Sequence, residues 1–138
     1  ERRARLAGAA SEQRLGCDVG KVGGREGEAC GGVAVTLEDL ANGGVKGDVL
    51  ANTTSVGMQP NLDDTPAPAS ALQGYSVVFD AVYTPLETRL LREAKEAGCE
   101  IASGLDMFVG QAARQFELFT GKQAQVELMR ETVLSSIK

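Results

Sequence analysis

The 138-residue sequence contains no histidine and no tryptophan, and only 4% of its residues are aromatic. Without histidine, no histidine-based catalytic triad can form and the most common general base is missing. The three cysteines are Cys17, Cys30 and Cys99, and no Cys-x-x-Cys pair occurs, so we predict no metal site. This pattern favours free thiols, although Cys17 and Cys30 lie in one glycine-rich stretch where they could pair.

The sequence also lacks a basic run and a long apolar run. Its net charge of −5 argues against nucleic acid as a partner, because phosphate binding depends on clustered Lys and Arg. No stretch of about 18 apolar residues is present, so we expect no membrane-spanning helix. Residue 1 is Glu, and the first residues have an Arg-rich helical pattern. We therefore expect the chain to begin within a domain, and we find no targeting segment.

The N-terminal part of the chain changes character at residue 16. Glu1–Leu15 is rich in Ala, Arg, Glu and Leu, which predicts a helix. Gly16–Gly32 contains seven glycines and few apolar residues, which predicts a flexible loop. The nucleotide-binding patterns G-x-G-x-x-G and G-x-x-x-x-G-K-[ST] occur neither there nor elsewhere. The loop is therefore interpreted as a solvated insertion.

From residue 33 onward, short apolar runs alternate with helical patterns. Strands are predicted at residues 33–35, 48–52, 76–82 and 99–103, and helices are predicted to begin at Thr36, Ala69, Thr84, Ser103 and Ala124. Thr84 has a complete helix-start pattern, with Pro85 at the first helical position and Glu87 at the third. Strands that alternate with helices indicate an α/β fold with a parallel sheet and crossover connections.

The helix predicted from Ser103 to Gly121 carries amides beside its apolar face. At helical spacing, six apolar residues share one stripe: Leu105, Phe108, Val109, Ala112, Phe116 and Phe119. Gln111 and Gln115 lie with Met107 in a row along one edge of that stripe. An amide at a core boundary costs desolvation unless a partner hydrogen-bonds it. Two interpretations stay open: the amides are half exposed and solvated, or they bind protein, water or a small ligand with hydroxyl groups.

Three segments follow predicted strands, at the edge where parallel sheets bind ligands. They are residues 52–55 (Asn-Thr-Thr-Ser), 81–83 (Ala-Val-Tyr) and 103–104 (Ser-Gly). Each carries a group unusual for a plain turn: a hydroxyl cluster, a tyrosine, and a glycine whose backbone could touch a ligand. The alternatives also stay open, because a turn can satisfy its own hydroxyls and Tyr83 can be a half-buried core aromatic.

Longer segments around these strand ends carry a family resemblance. They are Ala51–Pro60 (ANTTSVGMQP), Val78–Pro85 (VFDAVYTP) with Thr88, and Gly104–Gln111 (GLDMFVGQ) with Phe116–Gly121 (FELFTG). Together they resemble the shikimate dehydrogenase family, in particular its plant bifunctional 3-dehydroquinate dehydratase/shikimate dehydrogenase members. The resemblance is specific from about Asp48 to Glu127. It implies that residues 1–138 form the C-terminal part of a Rossmann-like NADP-binding domain, with a partial parallel sheet, flanking helices and C-terminal helices.

The resemblance implies an activity and roles for nine residues. The family reduces 3-dehydroshikimate to shikimate with NADPH. The residues implied in substrate binding are Tyr83, Gln111 and Gln115. Those implied in NADP binding are Arg2, Thr54, Met58, Ala81, Gly104 and Met107. Arg2 matches a basic residue that holds the 2′-phosphate, which a guanidinium can bind through two hydrogen bonds. The alternative for Arg2 is a solvated helix arginine.

The resemblance also implies parts that this sequence does not match. The family's catalytic Lys and Asp lie in an N-terminal substrate domain, so the chain alone is expected to be inactive. Lys95 and Asp106 do not take these roles, because one lies on an amphipathic helix and the other caps one. The first strand and its Gly-rich turn are also expected to be missing, which would leave an unpaired edge inside the sheet and lower solubility. For a plant member, a chloroplast location is expected.

Two other functions stay open. The absent Gly-rich turn is compatible with a truncated product that has no catalytic role and acts at most as a binding fragment. A quinate dehydrogenase is the second alternative, because the resemblance places most of substrate choice in the unmatched N-terminal domain.

Overall fold

The computed structural model describes residues 6–10, 21–22 and 35–137, with side chains for the last of these ranges. One six-stranded sheet has the order β3-β2-β1-β4-β5-β6. Its strands are β1 (Leu6–Ala10), β2 (Lys21–Val22), β3 (Val35–Thr36), β4 (Val49–Asn52), β5 (Val77–Asp80) and β6 (Glu100–Ala102). The helices are α1 (Leu37–Ala41), α2 (Ala69–Leu72), α3 (Arg89–Glu96), α4 (Gly104–Thr120) and α5 (Val126–Ser136).

The strands β1, β4, β5 and β6 run parallel, which confirms the predicted parallel sheet with helical crossovers. In β4 and β5 every second residue is buried, so Leu50 and Asn52 of β4 and Val78 and Asp80 of β5 point into the protein. The register pairs Asn52 with Asp80 at the carboxyl end of the two strands. The carboxyl ends of β4, β5 and β6 therefore lie along one edge of the sheet, as predicted.

The core lies between this sheet and the helices. Its buried members are mainly aliphatic: Leu40, Leu50, Ala67, Ala71, Leu72, Tyr75, Val78, Leu90, Leu91 and Ala94. Helix α3 contributes three of them because Leu90, Leu91 and Ala94 recur at helical spacing on one face. None of the helices in residues 35–137 is long and apolar enough to cross a bilayer.

The helix predicted over residues 1–15 is wrong at Leu6–Ala10, which forms β1. That segment pairs parallel with β4, with Leu6 opposite Val49 and Ala9 opposite Asn52. Ala and Leu favour a helix locally, but here the segment satisfies the backbone groups along one side of β4. The unpaired edge expected inside the sheet is therefore also wrong. Within the predicted loop over residues 16–32, Lys21–Val22 forms β2, and the other residues of that loop lie outside the described ranges.

The predicted start of α3 at Thr84 is wrong, because the helix begins at Arg89 with Thr88 as its N-cap. The predicted caps of α1 and α4 are confirmed. Thr36 caps α1, and Ser103 caps α4 through a reciprocal capping box with Asp106. Helix α4 ends at Thr120, and its C-cap Gly121 has a φ of 67°, in the left-handed region that glycine adopts without strain.

The apolar stripe predicted for α4 is only partly correct. Leu105 and Val109 are buried, but Ala113 takes the inward position, and Phe119 is 86% exposed. Gly104 packs directly against the chain that leaves β5. In the C-terminal half of α4, Phe116 and Phe119 are exposed.

Candidate functional site

The carboxyl edge of the sheet brings together the three segments identified from the sequence. The turn after β4, the exit of β5 and the start of α4 all lie there, because β4, β5 and β6 are parallel neighbours. Parallel sheets present their ligand sites at this edge. The segments are held to one another by one close backbone contact and one buried hydrogen-bond network.

The close contact is between Gly104 and the exit of β5. A Cβ added at Gly104 would overlap the carbonyl oxygen of Ala81 and would lie 2.7 Å from that of Val82. Only a glycine allows the first turn of α4 to approach the β5 backbone this closely. Gly104 and Ala81, both predicted to bind cofactor, are therefore in direct contact.

The buried network centres on Asp80, the last residue of β5. Its Oδ1 atom accepts hydrogen bonds from the Asn52 amide and the Val82 backbone N–H, each 3.0 Å away. Its Oδ2 atom accepts a 2.6 Å bond from the hydroxyl of Thr88. Burial raises the pKa of Asp80, while the bonds from Thr88, Val82 and Asn52 oppose that shift. The carboxylate ties the exit of β5 to the end of β4 and to the cap of α3.

The turn after β4 is built from its own side chains. The Oδ1 atom of Asn52 accepts from the Thr54 N–H at 3.1 Å and from its hydroxyl at 2.7 Å. The Thr54 hydroxyl oxygen in turn accepts from the Val56 N–H at 3.1 Å. Asn52 and Thr54 thus hydrogen-bond within the turn, while the prediction that the turn contacts a cofactor stays a prediction. Thr53 and Ser55 are exposed at the same turn.

Tyr83 is 38% exposed and stacks on Phe108 of α4, with ring centroids 5.4 Å apart. Gln111 lies three residues beyond Phe108, and Gln115 lies one further turn along, so both amides follow the face that Tyr83 borders. Both glutamines are exposed, which leaves their amides free to bind solvent or a ligand. The structure thus brings the three residues predicted to bind substrate to one side of α4.

The remaining residues predicted to bind cofactor are distributed as follows. Met58 is 44% exposed after the β4 turn, and Met107 is half buried in the first turn of α4. Thr54 is half buried and joined to the β5 exit through Asn52 and Asp80. Arg2 lies outside the described residues, as do Cys17 and Cys30.

Cys99 has a free thiol, as predicted, and burial raises its pKa.

Lys95 and Asp106, which were not assigned to catalysis, each form an ion pair. Lys95 pairs with Glu87 at 3.0 Å, and Asp106 pairs with Arg130 of α5 at 2.5 Å. The Ser103 hydroxyl and then Arg130 hold the pKa of Asp106 below its ordinary value. Within residues 35–137, no group of three or more carboxylates and cysteines is positioned to hold a metal ion.

The sequence analysis missed the central role of Asp80. The signal was present, because Asp80 ends a run of apolar residues in which a charged side chain needs hydrogen-bond partners. It also missed the pairing of Phe108 with Tyr83, since helical spacing assigned Phe108 to the core. Phe108 is instead 42% exposed at the site.

The parallel sheet, the crossover helices and the site at its carboxyl edge define a Rossmann-like α/β domain. Residues 104–134 match the C-terminal domain of shikimate 5′-dehydrogenases. The chain is 59% identical over 102 residues to the chloroplastic bifunctional 3-dehydroquinate dehydratase/shikimate dehydrogenase of Arabidopsis thaliana, a match covering 73% of this chain and 17% of that protein. These matches confirm the resemblance to the shikimate dehydrogenase family over the matched part of the chain, which includes the family's C-terminal domain.

Two solved structures extend the comparison. One is the shikimate 5-dehydrogenase of Thermus thermophilus in complex with NADP(H) and shikimate, with a TM-score of 0.62 and 37% identity over 75% of this chain. The other is the quinate dehydrogenase of Corynebacterium glutamicum in complex with NAD, with a TM-score of 0.66 and 37% identity over 78% of this chain. The chain spans 38% and 39% of these proteins, respectively.

Proposed function

We propose that the gene product is an NADP-dependent shikimate dehydrogenase that reduces 3-dehydroshikimate to shikimate. The observation that carries the proposal is the meeting of the three family segments at one sheet edge. There Gly104 contacts Ala81, and Tyr83 borders the helix face that carries Gln111 and Gln115. The Thermus relative, which is bound to NADP(H) and shikimate, supports the same ligands for this chain.

The residues at the edge fit a flat cofactor ring beside a polyhydroxylated substrate. Met58, Met107 and the backbone at Ala81 and Gly104 would border the nicotinamide, since thioethers and close backbone pack well against a planar ring. The turn after β4, Thr54 in particular, would contact the cofactor, and Arg2 would bind the 2′-phosphate. When bound, NADPH supplies a hydride.

The substrate side of the site consists of hydrogen-bonding groups. Tyr83, Gln111 and Gln115 would orient the substrate hydroxyls, because a phenol and two amides offer both donors and acceptors. Hydride transfer also needs a proton donor fixed beside the substrate carbonyl. By the family resemblance, the Lys and Asp that serve this step belong to an N-terminal substrate domain in the full gene product.

The test measures NADPH oxidation by the full gene product with 3-dehydroshikimate. We expect turnover with NADPH, and a KM for 3-dehydroshikimate raised about tenfold by Gln111→Ala or Gln115→Ala, the cost of one lost hydrogen bond. Gln123→Ala, at an exposed position after α4, is the matched control and should leave KM unchanged. A full gene product that folds but does not turn over would favour the non-catalytic alternative. The 138-residue chain alone is expected to be inactive.

Quinate chemistry is the second candidate, because the quinate dehydrogenase of Corynebacterium is a structural neighbour with a TM-score of 0.66. The same assay, run with 3-dehydroquinate and with NADH, separates the two functions. We expect the larger kcat/KM with 3-dehydroshikimate and NADPH. The reverse preference would identify a quinate dehydrogenase.

The plant relative's printed name includes "chloroplastic", and we propose the same location for this gene product. A fluorescent fusion of the complete coding sequence should colocalise with plastids in leaf cells. Diffuse cytosolic fluorescence would contradict this location without affecting the proposed activity.

A further inference from the structure

Three polar or charged side chains are buried in residues 35–137: Asn52, Asp80 and Thr88, each at most 1% exposed. They come from the end of β4, the end of β5 and the cap of α3. A buried carboxylate is strongly unfavourable unless nearby donors compensate its lost hydration. The placement of a charge at this position is therefore unexplained by packing alone.

The Asp80 carboxylate accepts from three donors in three different segments, and each donor fixes one of them. Asn52 holds the end of β4, the Val82 N–H holds the exit of β5 toward Tyr83, and Thr88 holds the start of α3. Thr88 is a relay as well, because its hydroxyl oxygen accepts from the Leu91 N–H. Asp80 itself is fully buried, so it touches no ligand.

The charge of Asp80 also sets the direction of the hydrogen bonds in the β4 turn. An ionised carboxylate only accepts, so Asn52 must turn its amide nitrogen toward Asp80. The Asn52 oxygen then faces Thr54, where it accepts from both the N–H and the hydroxyl. The second amide hydrogen of Asn52 binds the Val56 carbonyl at 3.2 Å. One buried charge thus determines the polarity of the whole turn.

We propose that Asp80 is a positioning residue for the reaction: through Asn52 and Val82 it holds the Thr54 turn and Tyr83 in the arrangement that binds cofactor and substrate. This inference rests on the proposed function, because that function assigns Thr54 to NADP and Tyr83 to substrate. Asp80 acts on both halves of the site at once, since its Oδ1 atom bonds to Asn52 and to Val82.

The first test compares Asp80→Leu and Asp80→Asn in the full gene product. Leu removes every acceptor, whereas Asn keeps one oxygen for Asn52 and Val82. We expect Asp80→Leu to raise the NADPH Kd, measured by fluorescence, and the KM for 3-dehydroshikimate by about tenfold or more. We expect Asp80→Asn to restore both to within about threefold of the wild type, because it keeps the acceptor that orients Asn52. Asp39→Leu removes the capping carboxylate of α1 and should lower stability without changing either constant.

A folded Asp80→Leu protein with wild-type Kd and KM would overturn the inference and leave Asp80 a purely structural residue. If Asp80→Leu does not fold, Asn52→Ala decides the matter. It removes the donor to Asp80 and the oxygen that accepts from Thr54, and it leaves the Val82 bond to Asp80 in place. A raised NADPH Kd in Asn52→Ala supports the inference, and a wild-type Kd overturns it. A wild-type protein that neither binds NADPH nor turns over would instead refute the proposed function, and the inference with it.

Discussion

At the scale of single residues, two positions hold the site together by different means. Gly104 acts through the absence of a side chain, since the space a Cβ would need is filled by the carbonyl groups of Ala81 and Val82. Asp80 acts through a charge held by three donors. Both effects are local, so each can be tested by a point substitution with a matched control.

Gly104→Ala is expected to lower the free energy of unfolding by about 1–3 kcal/mol, because α4 must move away from β5 to admit a methyl group. Gly110→Ala is the control within the same helix, since a Cβ there meets nothing within 4 Å. That substitution should raise stability by about 0.5–1 kcal/mol through helix propensity. Urea unfolding of both variants measures the contrast. Equal effects of the two substitutions would contradict the tight contact at Gly104.

The pH dependence of the free energy of unfolding should report the protonation of Asp80. Burial raises its pKa above the ordinary 3.8, so the folded protein binds the proton more tightly than the unfolded chain does. The contribution of Asp80 is therefore complete below pH 3.8 and is lost as the pH rises through the folded pKa. The free energy of unfolding of the wild type minus that of Asp80→Asn should fall as the pH rises above 3.8.

Asp39 provides the control of opposite sign. The Thr36 hydroxyl and then its backbone N–H lower the pKa of Asp39. Its contribution is present above pH 3.8 and is lost as the pH falls through the folded pKa, so the difference between wild type and Asp39→Asn should rise with pH. Urea unfolding at each pH measures both differences, and slopes of the same sign would show that one assignment is wrong.

At the scale of elements, the start of α3 shows how a tertiary contact selects between two local signals. Thr84-Pro-Leu-Glu87 has a helix-start pattern, yet the helix begins after Thr88. The Thr88 hydroxyl accepts from the Leu91 N–H and also donates to the buried Asp80, whereas Thr84 lies in the connection before the helix. A hydrogen bond to a buried charge contributes more than a solvent-exposed cap.

Thr88→Val keeps the shape of the side chain and removes only the hydroxyl. It should lower the free energy of unfolding by about 2–3 kcal/mol, because it removes both the helix cap and one donor to Asp80. Thr84→Val is the matched control and should change stability by less than about 0.5 kcal/mol. Chemical denaturation distinguishes the two positions. A larger loss of stability at Thr84 than at Thr88 would support the helix start predicted from the sequence, at Thr84.

At the scale of the whole molecule, β1 and the C-terminal helices revise the expectation about solubility. The expected unpaired edge is paired by Leu6–Ala10, but apolar side chains remain exposed on α4 and α5. The most exposed of them are Leu118 at 65%, Phe119 at 86% and Leu128 at 56%. Large apolar side chains exposed to this extent promote association. Low solubility is therefore still expected, but because of the exposed apolar side chains on α4 and α5 and not because of an unpaired sheet edge.

The isolated 138-residue chain is expected to self-associate through α4 and α5. Leu118→Gln combined with Phe119→Ser should shift the chain toward the monomer, because the double variant removes the two most exposed apolar side chains. Its free energy of unfolding should stay within about 0.5 kcal/mol of the wild type. Lys122→Ser, beside the same surface, is the control. Sedimentation analysis across protein concentrations measures association, and an unchanged profile in the double variant would contradict this prediction.

The sequence by itself determined what depends on local patterns. Apolar runs fixed β4, β5 and β6, capping residues fixed α1 and α4, and the family segments identified the shikimate dehydrogenase relationship. It also nominated Tyr83, Gln111 and Gln115, whose proposed ligand contacts stay predictions.

Only the tertiary structure decided what depends on partners distant in sequence. Leu6–Ala10 forms a strand because it pairs with backbone groups of β4 that would otherwise be unpaired. Helix propensity is a local property and takes no account of this pairing. Thr88 replaces Thr84 as the cap because Asp80 is buried beside it. The role of Asp80 depends on Asn52, which precedes it by 28 residues and lies opposite it in the sheet. Hydrogen bonds to buried groups are strong and specific, but the topology of the fold determines which residues lie close enough to form them.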